Sequence, residues 1–157
     1  MRRALALALL LLVGSFALSG CAERLSKQQY ERQIVKINKQ RTQVVQQLPS
    51  SGTDDVQYFD KAQKEMTRSA EDLDAIQPPN DVQEAHDAYV KSLFGLARLM
   101  SQFADCARLE QRDREGSQAC RREIQQRSID DVHNDLVEAY TIYMQQGYEI
   151  PKPPDVS

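Results

Sequence analysis

Residues 80–107 read NDVQEAHDAYVKSLFGLARLMSQFADCA, and the fold turns on how this stretch is read. Val82, His86, Tyr89, Leu93, Leu96, Met100, Phe103 and Ala107 recur in steps of four and three. A helix turns once in about 3.6 residues, so these positions form one stripe, at the spacing of helices that pack side by side at a shallow angle. Ala85, Val90, Phe94, Ala97 and Ala104 widen the stripe. A helix apolar over so much of its surface needs more than one neighbour. The stretch is therefore expected to be the central helix of a helical domain.

Immediately upstream, Pro78-Pro79 marks a joint, because each proline pushes the residue before it, Gln77 and Pro78, toward extended backbone. Asn80 and Gln83 have the spacing to start the central helix. Before the joint, Phe59, Ala62, Met66, Ala70, Leu73 and Ile76 mark another helix. Thr53 is its natural N-cap, and Asp54 and Asp55 suit its positive end. Pro49-Ser50-Ser51-Gly52 separates that helix from the first one, which is expected to begin at Ser26. Ser26 with Gln29 has capping-box spacing, and Leu25 with Tyr30 that of a hydrophobic staple. Tyr30, Ile34, Ile37, Val44, Val45 and Leu48 follow one face of the first helix, with Arg41 interrupting the stripe.

Downstream of the central helix, residues 108–118 are polar, and Gly116 suits a helix–helix turn. A fourth helix is expected from near Ser117 to near Gln146, with Gly147 at its C′ position. Ile124, Ile129, Val132, Leu136, Ala139 and Tyr143 face inward. Ser128 and Asp131 have the spacing of a fresh N-terminus, which allows a break there. Residues 148–157, with three prolines, read as an extended tail. Short connections favour antiparallel neighbours, so the expected fold is all-α, an up-down four-helix bundle over residues 26–147.

The first twenty residues, MRRALALALLLLVGSFALSG, have the pattern of a secretory signal peptide. Arg2 and Arg3 precede an apolar run from Ala4 to Val13, and mostly small residues follow. The run is too short for a permanent membrane span. Leu18-Ser19-Gly20-Cys21 resembles the lipobox of bacterial lipoproteins. That resemblance implies cleavage after Gly20, diacylation of Cys21, and a lipidated tether over residues 21–25. It places everything that follows outside the cytoplasm. Ala22 stands where Asp retains such proteins in the inner membrane, so in a Gram-negative host the implied address is the periplasmic face of the outer membrane. Each buried CH₂ of the acyl chains contributes about 0.8 kcal/mol, so several chains anchor a domain almost permanently. The segment from Leu73 to Leu93, with its Ile76-Gln77-Pro78-Pro79 joint and Ala85-His86, resembles a pattern in uncharacterised bacterial secreted helical proteins. It implies a fold and no activity.

With Cys21 assigned to lipid, Cys106 and Cys120 remain, an even pair in an oxidising space. They stand symmetrically about Asp113, so a hairpin folded there brings them level on facing helices. A bridge between them closes a loop of about fifteen residues, for which chain entropy gives about 3 kcal/mol.

The chain has a formal net charge of −3, which becomes −5 once Arg2 and Arg3 are removed with the signal. The charge is unevenly spread. Arg24, Lys27, Arg32, Lys36, Lys39 and Arg41 face only Glu23 and Glu31 before Pro49, and acids outnumber bases afterwards. The basic first helix follows the anchor directly, and either anionic headgroups or acidic neighbours in the bundle account for it. At the hairpin tip Arg108, Arg112, Arg114, Arg121 and Arg122 are interleaved with acids and form a candidate contact surface, since arginine is favoured at interfaces.

Chemistry is hard to find. A carboxylate-bridged dimetal bundle uses Glu-x-x-His on two helices. Here Asp130-x-x-His133 occurs once, and Gln83 stands three residues before His86. No nucleophile elbow, phosphate-cradling glycine loop or haem-attachment motif is present. The sequence therefore predicts no enzymatic activity, no metal, no cofactor and no nucleic-acid partner. Its leading expectation is a lipid-anchored envelope protein acting by protein or membrane-surface contact, with an envelope protein as partner. Its rival is a small-ligand or metal-binding bundle, with His86, Tyr89, Met100 and Tyr143 lining a pocket.

Overall fold

The computed structural model describes residues 24–48, 55–110, 112–127 and 129–151. The signal segment, Cys21, the 49–54 connection with Thr53 and Asp54, Ser128 and the tail after Pro151 lie outside the described residues. The chain is all-α, with helices packed as a four-helix bundle. Helix α1 spans Lys27–Gln46, α2 Asp55–Asp74, α3 Gln83–Glu110, α4 Arg114–Arg127 and α5 Ile129–Gln145, with a 3₁₀ turn at Asn80–Val82 before α3. Helices α4 and α5 follow one another along α3 and together take the place of the expected fourth helix. Their register about residue 113 holds to within one residue. Cys120 meets Cys106, Val132 meets Gly95 and Asp135 meets Lys91.

Local chemistry explains the helix ends. Ser26 caps α1 in a capping box: the Gln29 N–H donates to Ser26 Oγ, and the Ser26 N–H donates to Gln29 Oε1 at 2.9 Å. The proline joint is as expected, but α3 enters through the 3₁₀ turn rather than directly from an Asn80 cap. At the hairpin, α4 starts three residues before the expected Ser117. Asp113 is the reason, because its carboxylate accepts the Gly116 N–H at 2.8 Å and caps the helix. Gly116 thus belongs to the first turn of α4 and not to the connection. A Cβ there would run into the Asp113 carboxylate. At the other end of the arm, Gly147 has φ 71°, the left-handed C′ conformation that glycine adopts without strain.

The core is one cluster spanning α1, α2, α3 and α5, with a smaller one near the hairpin around Leu99, Cys106 and Ile124. Helix α3 packs on α2, α4 and α5 and is the centre of the bundle, as its broad stripe requires. Several inward positions differ from expectation. Arg41 does not break the α1 stripe but is buried within it. Phe94 and Ile129, expected to point inward, are 40% and 36% exposed. The segment after Gly147 begins with packing: Tyr148 is core, and Ile150 rests against it.

Candidate functional site

Most of the polar side chains at the centre of the bundle satisfy one another. Tyr30 on α1 is fully buried, and its hydroxyl lies 2.9 Å from His86 Nδ1 on α3 and 2.7 Å from the Tyr143 hydroxyl on α5. One turn further along α3, the Tyr89 hydroxyl donates to Asn38 Oδ1 at 2.6 Å and accepts from Arg41 Nη2 at 3.3 Å. Tyr148 donates to Asp81 at 3.0 Å, with the Lys27 ammonium 4.7 Å from its ring centroid. The rings of Tyr30, Tyr89, Tyr140, Tyr143 and Tyr148 meet at tilted and edge-on angles, which suit the quadrupoles of aromatic faces and edges. Burial pushes the hydroxyls of Tyr30, Tyr140, Tyr143 and Tyr148 well above the ordinary phenol range. Burial also holds the His86 pKa below its ordinary value, so the imidazole is neutral at pH 7.

This network answers for three of the four residues proposed to line a pocket. His86, Tyr89 and Tyr143 fill the core instead, while Met100 is half-buried. An open groove of about 790 Å³ lies elsewhere, between the outer face of α3 and α5. Val90, Phe94, Leu99 and Val132 give it an apolar floor, and around them stand the acids Asp74, Asp87 and Asp131 and one base, Arg98. Lys91 at the rim is paired with Asp135 at 2.7 Å, which holds its pKa above the usual lysine value. The one signal in the sequence that could have pointed to this groove is Phe94, a large side chain at the edge of the stripe.

The hairpin tip divides its five arginines. Arg108 Nη2 donates to both carboxylate oxygens of Asp60 at 2.7 Å, and its Nη1 to Asp105 at 2.8 Å. Arg121 reaches Asp55 and Glu110, tying α4 to the start of α2 and the end of α3. These two bind the tip together. Arg112, Arg114 and Arg122 are exposed. Below them the sulfurs of Cys106 and Cys120 are at bonding distance, with Cα atoms 5.7 Å apart.

The opposite end of the bundle gathers both ends of the described chain. The Leu25 N–H donates to Gln77 O at 3.0 Å and Arg24 to Pro78 O at 2.7 Å. Lys27 donates to Gly147 O at 2.6 Å, and the Glu149 N–H to Glu31 at 2.9 Å. Residue Cys21 stands three positions before Arg24, so the end from which the chain would be tethered is the end away from the arginines. Helix α3 has 28 residues, which at about 1.5 Å each separates the two ends by roughly 40 Å.

Among the described residues, no group of three or more His, Cys, Asp or Glu is placed to hold a metal ion, and His133 is exposed while His86 is buried. No helix among them is long and apolar enough to cross a membrane. No family model matches the chain, and no curated protein or solved structure is significantly similar to it.

Proposed function

We propose that this chain is a non-enzymatic lipoprotein of the bacterial cell envelope, anchored through Cys21, that works by contact with another envelope protein as an accessory or structural component. The observation that carries the reading is the Cys106–Cys120 pair at bonding distance on facing helices. A structural bridge forms and persists outside the reducing cytoplasm, which is where the signal and lipobox would deliver the chain. The contact surface is the hairpin tip, and the exposed Arg112, Arg114 and Arg122 are its reach toward an acidic partner.

Crosslinking in living cells, followed by purification in mild detergent, tests this. The expected result is a recurrent partner that is lost on Arg112→Glu, Arg114→Glu and Arg122→Glu. These positions leave the Arg108 and Arg121 ion pairs intact, so loss of the partner does not reflect loss of the tip. Recovery of the same partner with all three charges reversed overturns the tip as the contact surface. The anchor is tested by Cys21→Ser, which is expected to carry no lipid.

A second reading rests on the groove. An apolar floor with acids on its rim suits a small amphiphilic cation, and ligand binding there raises the melting temperature by mass action. A Phe94→Asp variant is expected to lose that gain.

A further inference from the structure

We infer that the outer face of α1 rests on the anionic surface of the bilayer to which the chain is tethered, so that the bundle lies along the membrane. The inference rests on the anchored reading above. The inward residues of α1 are Tyr30, Ile34, Ile37 and Arg41. Two positions further round the helix, about 200° away, stand Arg32, Lys36 and Lys39, all exposed. Among the described residues none of these three is in an ion pair. Helical spacing gives them no acidic neighbour either: the positions three and four residues away hold glutamine, valine, threonine or further bases. The single acid of α1, Glu31, is turned to the C-terminal segment, where it accepts the Glu149 N–H.

Many bases elsewhere have an acid within reach. Lys91 on α3 has Asp135, Arg68 on α2 has Glu65 and Asp72, and Arg108 and Arg121 at the tip have two acids each. Lys61 and Lys64 on α2 are in no ion pair among the described residues, but Glu65 and Asp60 stand four residues from them, and Arg98 on α3 stands single. A helix that served only to neutralise acidic neighbours would pair its bases in the same way. Instead the three bases are left facing outward in one row, with Val35, an aliphatic side chain 38% exposed, at its edge. A row of cations with an apolar edge complements phospholipid headgroups over an acyl layer.

The tether permits the pose. Arg24 and Leu25 are held on the proline joint, and Cys21 stands three residues before Arg24, a reach of about 10 Å at most, so the start of α1 is kept close to the headgroups. The pose also orients the rest of the molecule. The inward side of α1 meets α3 at His86 and Tyr89, and the groove at Phe94 and Lys91 lies on the far side of α3. With α1 on the lipid, the groove faces away from it.

Lysine footprinting of the full lipidated protein tests the pose without substitution. The protein is reconstituted into vesicles of phosphatidylcholine alone, or with about three-tenths phosphatidylglycerol, and acetylated with a water-soluble reagent. Each basic residue near an anionic surface gains about fivefold in binding. Acetylation of Lys36 and Lys39 is therefore expected to fall about fivefold or more on anionic vesicles, while Lys61, Lys64 and Lys91 react equally on both. At about 1 M salt, where screening shortens to about 3 Å, the protection disappears. Equal reactivity of Lys36 and Lys39 on the two vesicles overturns the inference, and so does protection that survives high salt. Failure of the anchor reads out separately, as protein that does not float with neutral vesicles. Reversing all three charges, Arg32→Glu, Lys36→Glu and Lys39→Glu, removes the difference between vesicles and leaves flotation intact.

Discussion

Replacing Tyr30 with Phe removes a single oxygen, but it is the oxygen that joins α1, α3 and α5. His86 Nδ1 and the Tyr143 hydroxyl both lean on it, and both belong to side chains that are nearly or fully buried. Leaving a buried donor or acceptor without its partner costs about 1–3 kcal/mol. Two such groups give a loss of about 2–6 kcal/mol. For a domain of about 130 residues the unfolding entropy is roughly 0.27 kcal/mol/K, so the melting temperature is expected to fall by about 7–22 °C. Tyr148→Phe is the internal control. Its hydroxyl bonds to Asp81, a residue that is itself exposed, so water replaces the lost partner and the cost stays near 1 kcal/mol. Urea and thermal unfolding, followed by circular dichroism at pH 7.5, measure both variants. Adding His86→Leu to Tyr30→Phe closes a double-mutant cycle. The two changes remove the same contact, so their costs are expected to fall short of additivity by at least about 0.5 kcal/mol. A loss below about 0.5 kcal/mol for Tyr30→Phe, or strict additivity in the cycle, would refute the claim that this hydroxyl holds three helices together.

Removing the Cys106–Cys120 bridge with paired alanines is expected to cost about 3 kcal/mol, close to 10 °C by the same entropy, seen as a gap between melting curves with and without reductant. Stability is expected to be full above about pH 6.5 and to decline as the pH drops below it, because the unfolded chain takes up a proton at His86 before the folded one does. The slope is at most about 1.4 kcal/mol per pH unit, and His86→Leu flattens it in a pH series of melts. Gly95→Ala places a Cβ 2.6 Å from Val132 Cγ2, so overpacking of about 1–3 kcal/mol outweighs the helix propensity gained. Joining it to Val132→Ala relieves the contact, and the pair is expected to melt above Val132→Ala alone.

The fold was legible because its punctuation is strong. Pro78-Pro79, the Ser26 capping box and Gly147 each act through local backbone chemistry, which spacing in the sequence reports directly. The hairpin register was legible for the same reason, since Cys106 and Cys120 fix where the chain reverses. Gly116 misled because glycine usually marks a turn. Here it makes room for the Asp113 cap at the third residue of the helix, a requirement visible only in space. Arg41 looked like a break in a stripe because its charge argues for solvent. Its partner Tyr89 is 48 residues away, and nothing local announces it. Tyr148 was hidden by the prolines that follow it. The groove was not legible: Phe94 was counted among the residues that widen the inward stripe, and it is 40% exposed. Which side it would face was set by how α5 lies across α3 at Gly95, a tertiary fact.

The pairing of Tyr30 with Tyr143 also bears on the order in which this chain can be made and moved. The two are 113 positions apart, and Tyr148 closes the same cluster from still nearer the C-terminus. A chain delivered from its N-terminus, whether from a ribosome or through a translocation channel, cannot assemble this cluster until residue 148 has emerged. Until then α1 lacks the wall that Tyr143 and Tyr148 supply. Closure is registered where Lys27 meets Gly147 and Glu31 meets Glu149, a latch between the two ends of the bundle's sequence.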